Sequence, residues 1–286
     1  MALQINTNIG ALMASAAASG VNKSMETSME RLSTGKRINT AADDAAGVAI
    51  ASRLTSEIRG TNQAIRNAAD AQAMIDTAEG AHDEVVNILQ RMRELSVQAA
   101  NDTNLAADRT AIQDELTALT AEIDRIGAVT TWANTQLLDE TGGTTGEFKF
   151  HSGAGDTAAS DQIEVTIKKI SSTALGADAV KVDAATIKVT TAAESLASIT
   201  ALDTAIASVN KQRSQLGAVS NRLDHTINNL TNISVNLEAG RSRIEDADFA
   251  AESTNMAKSQ ILQQASTAML AQANASKQGV LSLLQR

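Results

Sequence analysis

Apolar residues recur every three or four positions along most of this chain, the spacing of one face of an α-helix. Four stretches carry it. In the first, Ile5, Ile9, Leu12, Ala16, Val21, Met25, Met29 and Leu32 form a loose stripe that ends near Gly35. The loop Asn39–Asp44 follows, and its Asp residues suit the start of the next helix, where carboxylates meet exposed amides and the positive end of the dipole. That second helix is predicted over about 45–100, with a regular late seam of Ile75, Ala78, His82, Val85, Leu89, Met92, Ser96 and Ala99. A third carries Ile112, Leu116, Leu119, Ile123 and Ile126. The spacing is that of a coiled-coil seam, narrower than a globular face.

The longest unbroken pattern lies near the C-terminus. Ile199, Leu202, Ile206, Val209, Arg213, Leu216, Ser220, Leu223, Ile227, Leu230, Ser234 and Leu237 keep the alternation without a slip. At about 1.5 Å per residue this is a rod of roughly 55–60 Å, which must lie against other long helices. After Gly240 a last segment runs through Phe249, Met256, Ile261, Leu262, Met269 and Leu270 to Leu284. Between the helices, alternation switches to a period of two at Glu147–Phe150, Ile163–Ile167, Val180–Val182 and Ile187–Val189, with turns at Gly142–Gly143, Gly153–Asp156 and Gly176. The predicted fold is therefore mainly α: long antiparallel coiled-coil helices from both termini, with a small inserted β-hairpin region at about 134–192. Residues 1–44 and 240–286 are expected to form a terminal helical domain, and 45–239 a helical bundle.

Composition sharpens this. The 286 residues contain no Pro, Cys or Tyr, three Phe and one Trp. Aromatic residues normally supply much of a large core's buried area, whereas thin helix–helix seams accept Ala and Leu. Missing proline also removes the strongest helix breaker. The net charge of −9 and the lack of Lys/Arg clusters exclude nucleic acid as a partner. No apolar run of about eighteen residues is present, so no membrane partner is expected. The small-residue stretch Ala14–Gly20 superficially resembles a signal peptide, yet no basic segment precedes it and Gln4, Asn6, Thr7 and Asn8 interrupt it. Export without a cleaved signal is expected.

Chemistry is absent where an enzyme would need it. His82, His151 and His225 lack metal-ligand spacing, and there is no phosphate loop or glycine fingerprint. No catalytic residue, metal site or cofactor is expected. Asp43 and Asp44 are adjacent, so they do not face each other on a helix, and capping explains them better than acid–base work. Arg213 interrupts an apolar seam. It either snorkels to water or fixes the alignment of the seam.

Several long segments resemble bacterial flagellin. They are Met1–Asn8, Glu30–Gly35, Arg37–Asn39, Asp43–Ala51, Gln90–Gln98, Leu216–Arg222, Ser242–Asp248, Gln260–Ala265 and Leu281–Arg286. The resemblance implies the two core domains only, in a subunit that polymerises into an extracellular motility filament. The alternative is a hook–filament junction protein sharing these termini, and a glycan- or peptide-cleaving insertion is disfavoured by the short β region. At Trp132-Ala133-Asn134 the family usually shows Phe-Asn-Gly, and Asn134 still tolerates a left-handed backbone.

The resemblance further implies partners. These are copies of the same chain, filament cap and junction proteins, an export chaperone on the C-terminal stripe, and the animal Toll-like receptor for flagellin. The receptor patch falls on Gln90, Arg91, Glu94, Leu95 and Glu115. Packing within the filament core falls to Ile5, Ile9, Leu12, Phe249, Met256, Ile261, Leu262, Met269 and Leu284.

Overall fold

A computed structural model describes residues 7–157 and 161–284, without the side chains of residue 177 and of 277–284. Helix α1 spans Ile9–Thr34, α2 Ala45–Ala99 and α3 Ala106–Val129. Three antiparallel strand pairs follow: β1 (Thr131–Trp132) with β2 (Thr135–Gln136), β3 (Glu147–His151) with β4 (Gln162–Thr166), and β5 (Ile170–Ser171) with β6 (Ala174–Leu175). A 3₁₀ turn at Gly176–Asp178 leads towards α4 (Ala192–Glu245), and α5 (Phe249–Leu284) closes the order. No large domain separates β6 from α4.

The chain divides into two compact units, residues 1–58 with 236–286, and residues 59–235. The division runs through α2 and α4, where an uninterrupted helix leaves no mark in composition.

In the first unit, Asn8 caps α1 by accepting from the Ala11 amide at 3.2 Å, and Gly35 ends the helix at φ 70°, the left-handed stop that glycine adopts without strain. A short strap then ties the two ends of the chain together. The Arg37 amide donates to the Glu245 carbonyl at 2.6 Å and the Ala247 amide to that of Gly35 at 3.0 Å. The loop before α2 is held by carboxylates, as expected. Asp43 accepts from the Asn39 and Thr40 amides, which keep its carboxyl below the usual range, and Asp44 accepts from the Gly47 amide at 2.9 Å.

The second unit holds the extensive core. The seam Ile75, Ala78, His82, Val85, Leu89, Met92, Ser96 and Ala99 is buried throughout, packed with Leu116 and Ile123 of α3 and Leu202, Ala205, Val209, Leu216 and Leu223 of α4. Arg213 is half-buried and pairs with Glu79 at 2.9 Å and Asp83 at 3.1 Å. It therefore joins α4 to α2 by an ion pair at the edge of the seam.

The strand pairing is narrower than the alternation predicts. Phe148 faces Val165 and Phe150 faces Ile163, while Lys149 meets Glu164 on the outer face. Val180–Val182 and Ile187–Val189 are buried at Val182, Ile187 and Val189 but form no strands. Val180 exchanges backbone hydrogen bonds with Leu175, and the Val182 amide donates to the Ser172 carbonyl, whereas the backbone around Ile187–Val189 bonds to helix side chains. Gln113 donates to the Ile187 carbonyl and accepts from the Val189 amide, and Ser198 serves both backbone groups of Lys188. Buried backbone groups need partners of some kind, and here helices provide them where a sheet neighbour would. The turn at Ala133-Asn134 survives, with φ 47° and 67°, the two left-handed positions of a tight hairpin.

Gly127 shows how closely the insertion docks. A Cβ there would lie 2.0 Å from the Ile170 carbonyl oxygen. Gly127→Ala should destabilise the second unit by about 1–3 kcal/mol through overpacking, measured as a lower thermal midpoint. An unchanged midpoint would contradict the docking.

Candidate self-assembly surface

A helical hairpin that is stable alone hides large apolar residues between its helices and shows polar ones to water. The pair α1–α5 does the reverse. Its interior is lined by small or polar groups: Ala11, Ala14, Ala18 and Val21 are only half-buried, and Ser28, Glu252 and Ser259 are the buried ones. Arg31 and Glu252 stand 3.8 Å apart there. The large residues turn outward, with Ile9, Leu12, Met13 and Met29 of α1 and Phe249, Ile261, Leu262 and Met269 of α5 all exposed, Phe249 at 71 %.

This resolves the sequence stripe into two. Residues 11, 14, 18, 21, 25 and 28 point into the pair, whereas Ile9, Leu12 and Met29 face solvent. Met256 is half-buried. Ile5 lies outside the described residues, as does the side chain of Leu284.

A second cluster lies on α2 and α3. The Arg91 guanidinium donates to Glu115 at 3.0 and 3.2 Å, and reaches Glu94 at 3.4 Å. Bonding to Glu115 first, then Glu94, raises the Arg91 pKa above its ordinary value. Gln90, Arg91, Glu94 and Glu115 are exposed, whereas Leu95 is 2 % exposed and sits in the core beneath them. An exposed ion pair of this kind adds little to stability because solvent screens it, so stability alone gives little reason for it.

Sequence reasoning missed the buried polar residues of α4. Ser208 donates to the Leu175 carbonyl and accepts from the Asp178 amide, and Gln212 donates to the Thr166 carbonyl. Their three- and four-residue spacing was the available signal, but polar identity disguised them as surface.

Among the described residues no group of three or more His, Cys, Asp or Glu could hold a metal ion, and no helix is long and apolar enough to cross a membrane. Two long-helix units, one with its apolar side chains outward, define a self-assembling structural subunit. Comparison with known proteins names the class. The family model for the bacterial flagellin N-terminal helical region matches residues 5–142, and that for the C-terminal helical region matches 199–284. A flagellin of Halalkalibacterium halodurans is 43% identical over 274 residues, covering 93% of this chain and 94% of that one. Polar flagellin A of Vibrio parahaemolyticus is 36% identical over 376 residues, covering 99% and 100%, so it carries residues that this chain lacks. In fold, the chain is similar to a putative flagellar hook-associated protein from Vibrio parahaemolyticus, with a TM-score of 0.60 and 16% identity over 71% of this chain and 100% of that one. The chain belongs to the bacterial flagellin family, the structural subunits of the extracellular flagellar filament. The junction-protein alternative has no better support.

The second unit also carries a buried titratable group. His82 is fully buried, its Nδ1 2.6 Å from the Ala78 carbonyl and its Nε2 without a partner. Burial holds its pKa below the ordinary value, against the opposing effect of the Ala78 carbonyl and Glu79, and with Arg213 adding to it. A lowered folded-state pKa means that the unfolded chain takes up the proton first. Stability is therefore complete above the unfolded value near 6.5 and falls as pH drops below it towards the folded value. Chemical denaturation between pH 7.5 and 5 should show this fall, and His82→Leu should flatten it. An equal fall in the variant would assign the effect to other groups.

Proposed function

We propose that the chain polymerises through the outward faces of α1 and α5, which become the core of the filament. The observation that carries this reading is the exposure of Leu12, Met13, Phe249, Ile261 and Met269 on helices whose own interface is thin. Burying such a side chain contributes about 1.5–3 kcal/mol. These five together amount to a gross gain on the order of 8–15 kcal/mol, comparable with an association cost of about 4–15 kcal/mol. A head-to-tail contact that does not close on itself propagates as a helical fibre. No catalytic role is assigned to the chain.

The same exposure supports the remaining partners. Before assembly, Phe249, Ile261, Leu262 and Met269 need cover, and an export chaperone that masks α5 would supply it. Cap and junction proteins would meet the same faces at the two ends of a growing fibre. We assign export to a route without a cleaved signal. The exposed Gln90, Arg91, Glu94 and Glu115 form a charged, ordered surface for the animal receptor, with Leu95 seating the helix from below.

Removing residues 250–286 should abolish filaments in electron micrographs while near-native helical content persists in the second unit. Filaments from that truncation would sink the assembly reading. For the receptor surface, Arg91→Ala should raise the concentration for half-maximal reporter signalling by about tenfold, the loss of one central interface arginine. Unchanged signalling would remove Arg91 from the contact.

A further inference from the structure

The methionines divide sharply between the units. Met74 and Met92 are fully enclosed in the second unit, at 1 % and 0 % exposure, whereas Met13 and Met269 are 70 % and 65 % exposed and Met29 is 54 %. Met25 and Met256 are half-buried. The exposed ones stand among Leu12, Ile261 and Leu262 on the outward apolar faces. Two contacts fix the antiparallel pairing of α1 with α5: Asn8 reaches the Ala273 carbonyl at 3.2 Å and Gln263 reaches Asn22 at 2.9 Å. Met13 on α1 and Met269 on α5 fall at the same level between these contacts. Two thioethers thus stand at one level of the helix pair, with Met29 further along α1.

Resting on the assembly reading above, we infer that Met13, Met269 and Met29 are oxidation sites for small two-electron oxidants of the peroxide class, and that their oxidation blocks polymerisation. A sulfur lone pair attacks one peroxide oxygen and the O–O bond breaks. The departing hydroxide takes the proton of the transferred OH, giving sulfoxide and water. Sulfur loses two electrons and peroxide gains them. Thioether accessibility sets the rate, and the product is a polar group where an apolar one stood. The modification therefore falls on the face that must be desolvated for assembly, while Met74 and Met92 keep the second unit intact. Once a neighbour covers the face, the same sulfurs are shielded. Free subunits are sensitive and assembled ones protected.

The test uses the full chain, as monomer and as salt-seeded filament, exposed to hydrogen peroxide and mapped by peptide mass spectrometry. Met13, Met29 and Met269 should oxidise in the monomer well before Met74 and Met92, and should be protected in the filament. Peroxide-treated monomer should need about a tenfold higher concentration to polymerise for each exposed methionine converted, read by sedimentation. The triple variant Met13→Leu, Met29→Leu, Met269→Leu keeps volume and apolar character and should polymerise equally well before and after peroxide. Equal reactivity of these methionines in monomer and filament, an unchanged critical concentration after oxidation, or a triple variant that peroxide still blocks would each overturn the inference. The footprint on the unsubstituted chain decides the matter even if the variant folds poorly. Untreated protein that never forms filaments would instead overturn the assembly reading itself.

Discussion

The distribution of burial governs everything else in this molecule. Large apolar side chains of α2, α3 and α4, among them Met74, Leu89, Leu116, Ile123 and Leu202, are enclosed within the second unit. Many of those of α1 and α5 remain in water, and the interface between these two helices is built largely from alanine and serine, with half-buried Val21, Met25 and Met256 and one loosely spaced ion pair. Helix formation alone gives little stability in water, because most of it comes from packing a face against something else. The second unit has that packing within one chain. The first has it only in part, and that shortfall is what the proposed assembly would make good.

This division also explains why so few aromatics suffice. Phe148 and Phe150 cover the β3–β4 hairpin, Trp132 borders the core, and Phe249 faces outward. The rest of the core is aliphatic and thin, in keeping with seams between long rods. Buried Ser198, Ser208 and Gln212 bond to the carbonyls of Lys188, Leu175 and Thr166. They thereby hold the irregular part of the insertion against the helices, where a wider sheet would otherwise be required.

Much of the architecture was legible in the sequence, and the successes and failures share a cause. The run from Ile75 to Ala99 is buried position for position, because an uninterrupted heptad has only one face to hide. Val180–Val182 and Ile187–Val189 alternate like strands, yet burial on alternate residues does not say who accepts their hydrogen bonds. Ser208 and Gln212 were invisible as core because polarity argues for solvent until the partner carbonyl is known. The outward faces posed a different difficulty. Leu12 and Leu89 recur with the same helical spacing, and periodicity cannot distinguish a side chain covered by its own chain from one awaiting a neighbour. The Arg91–Glu115 pair, on two different helices, was a candidate by resemblance alone, and its geometry comes only from the fold.

Arg213 carries one more consequence. A seam that repeats every heptad, about seven residues, is only weakly aligned by its apolar side chains, so polar contacts help to set where α4 lies along α2. In the observed setting Arg213 finds both Glu79 and Asp83. Seven residues one way it would face Val86 and Gln90, and seven the other way Gln72 and Asp76. Of these three settings the observed one alone offers Arg213 two carboxylates, and the pairing of Arg93 with Asp203 belongs to the same alignment.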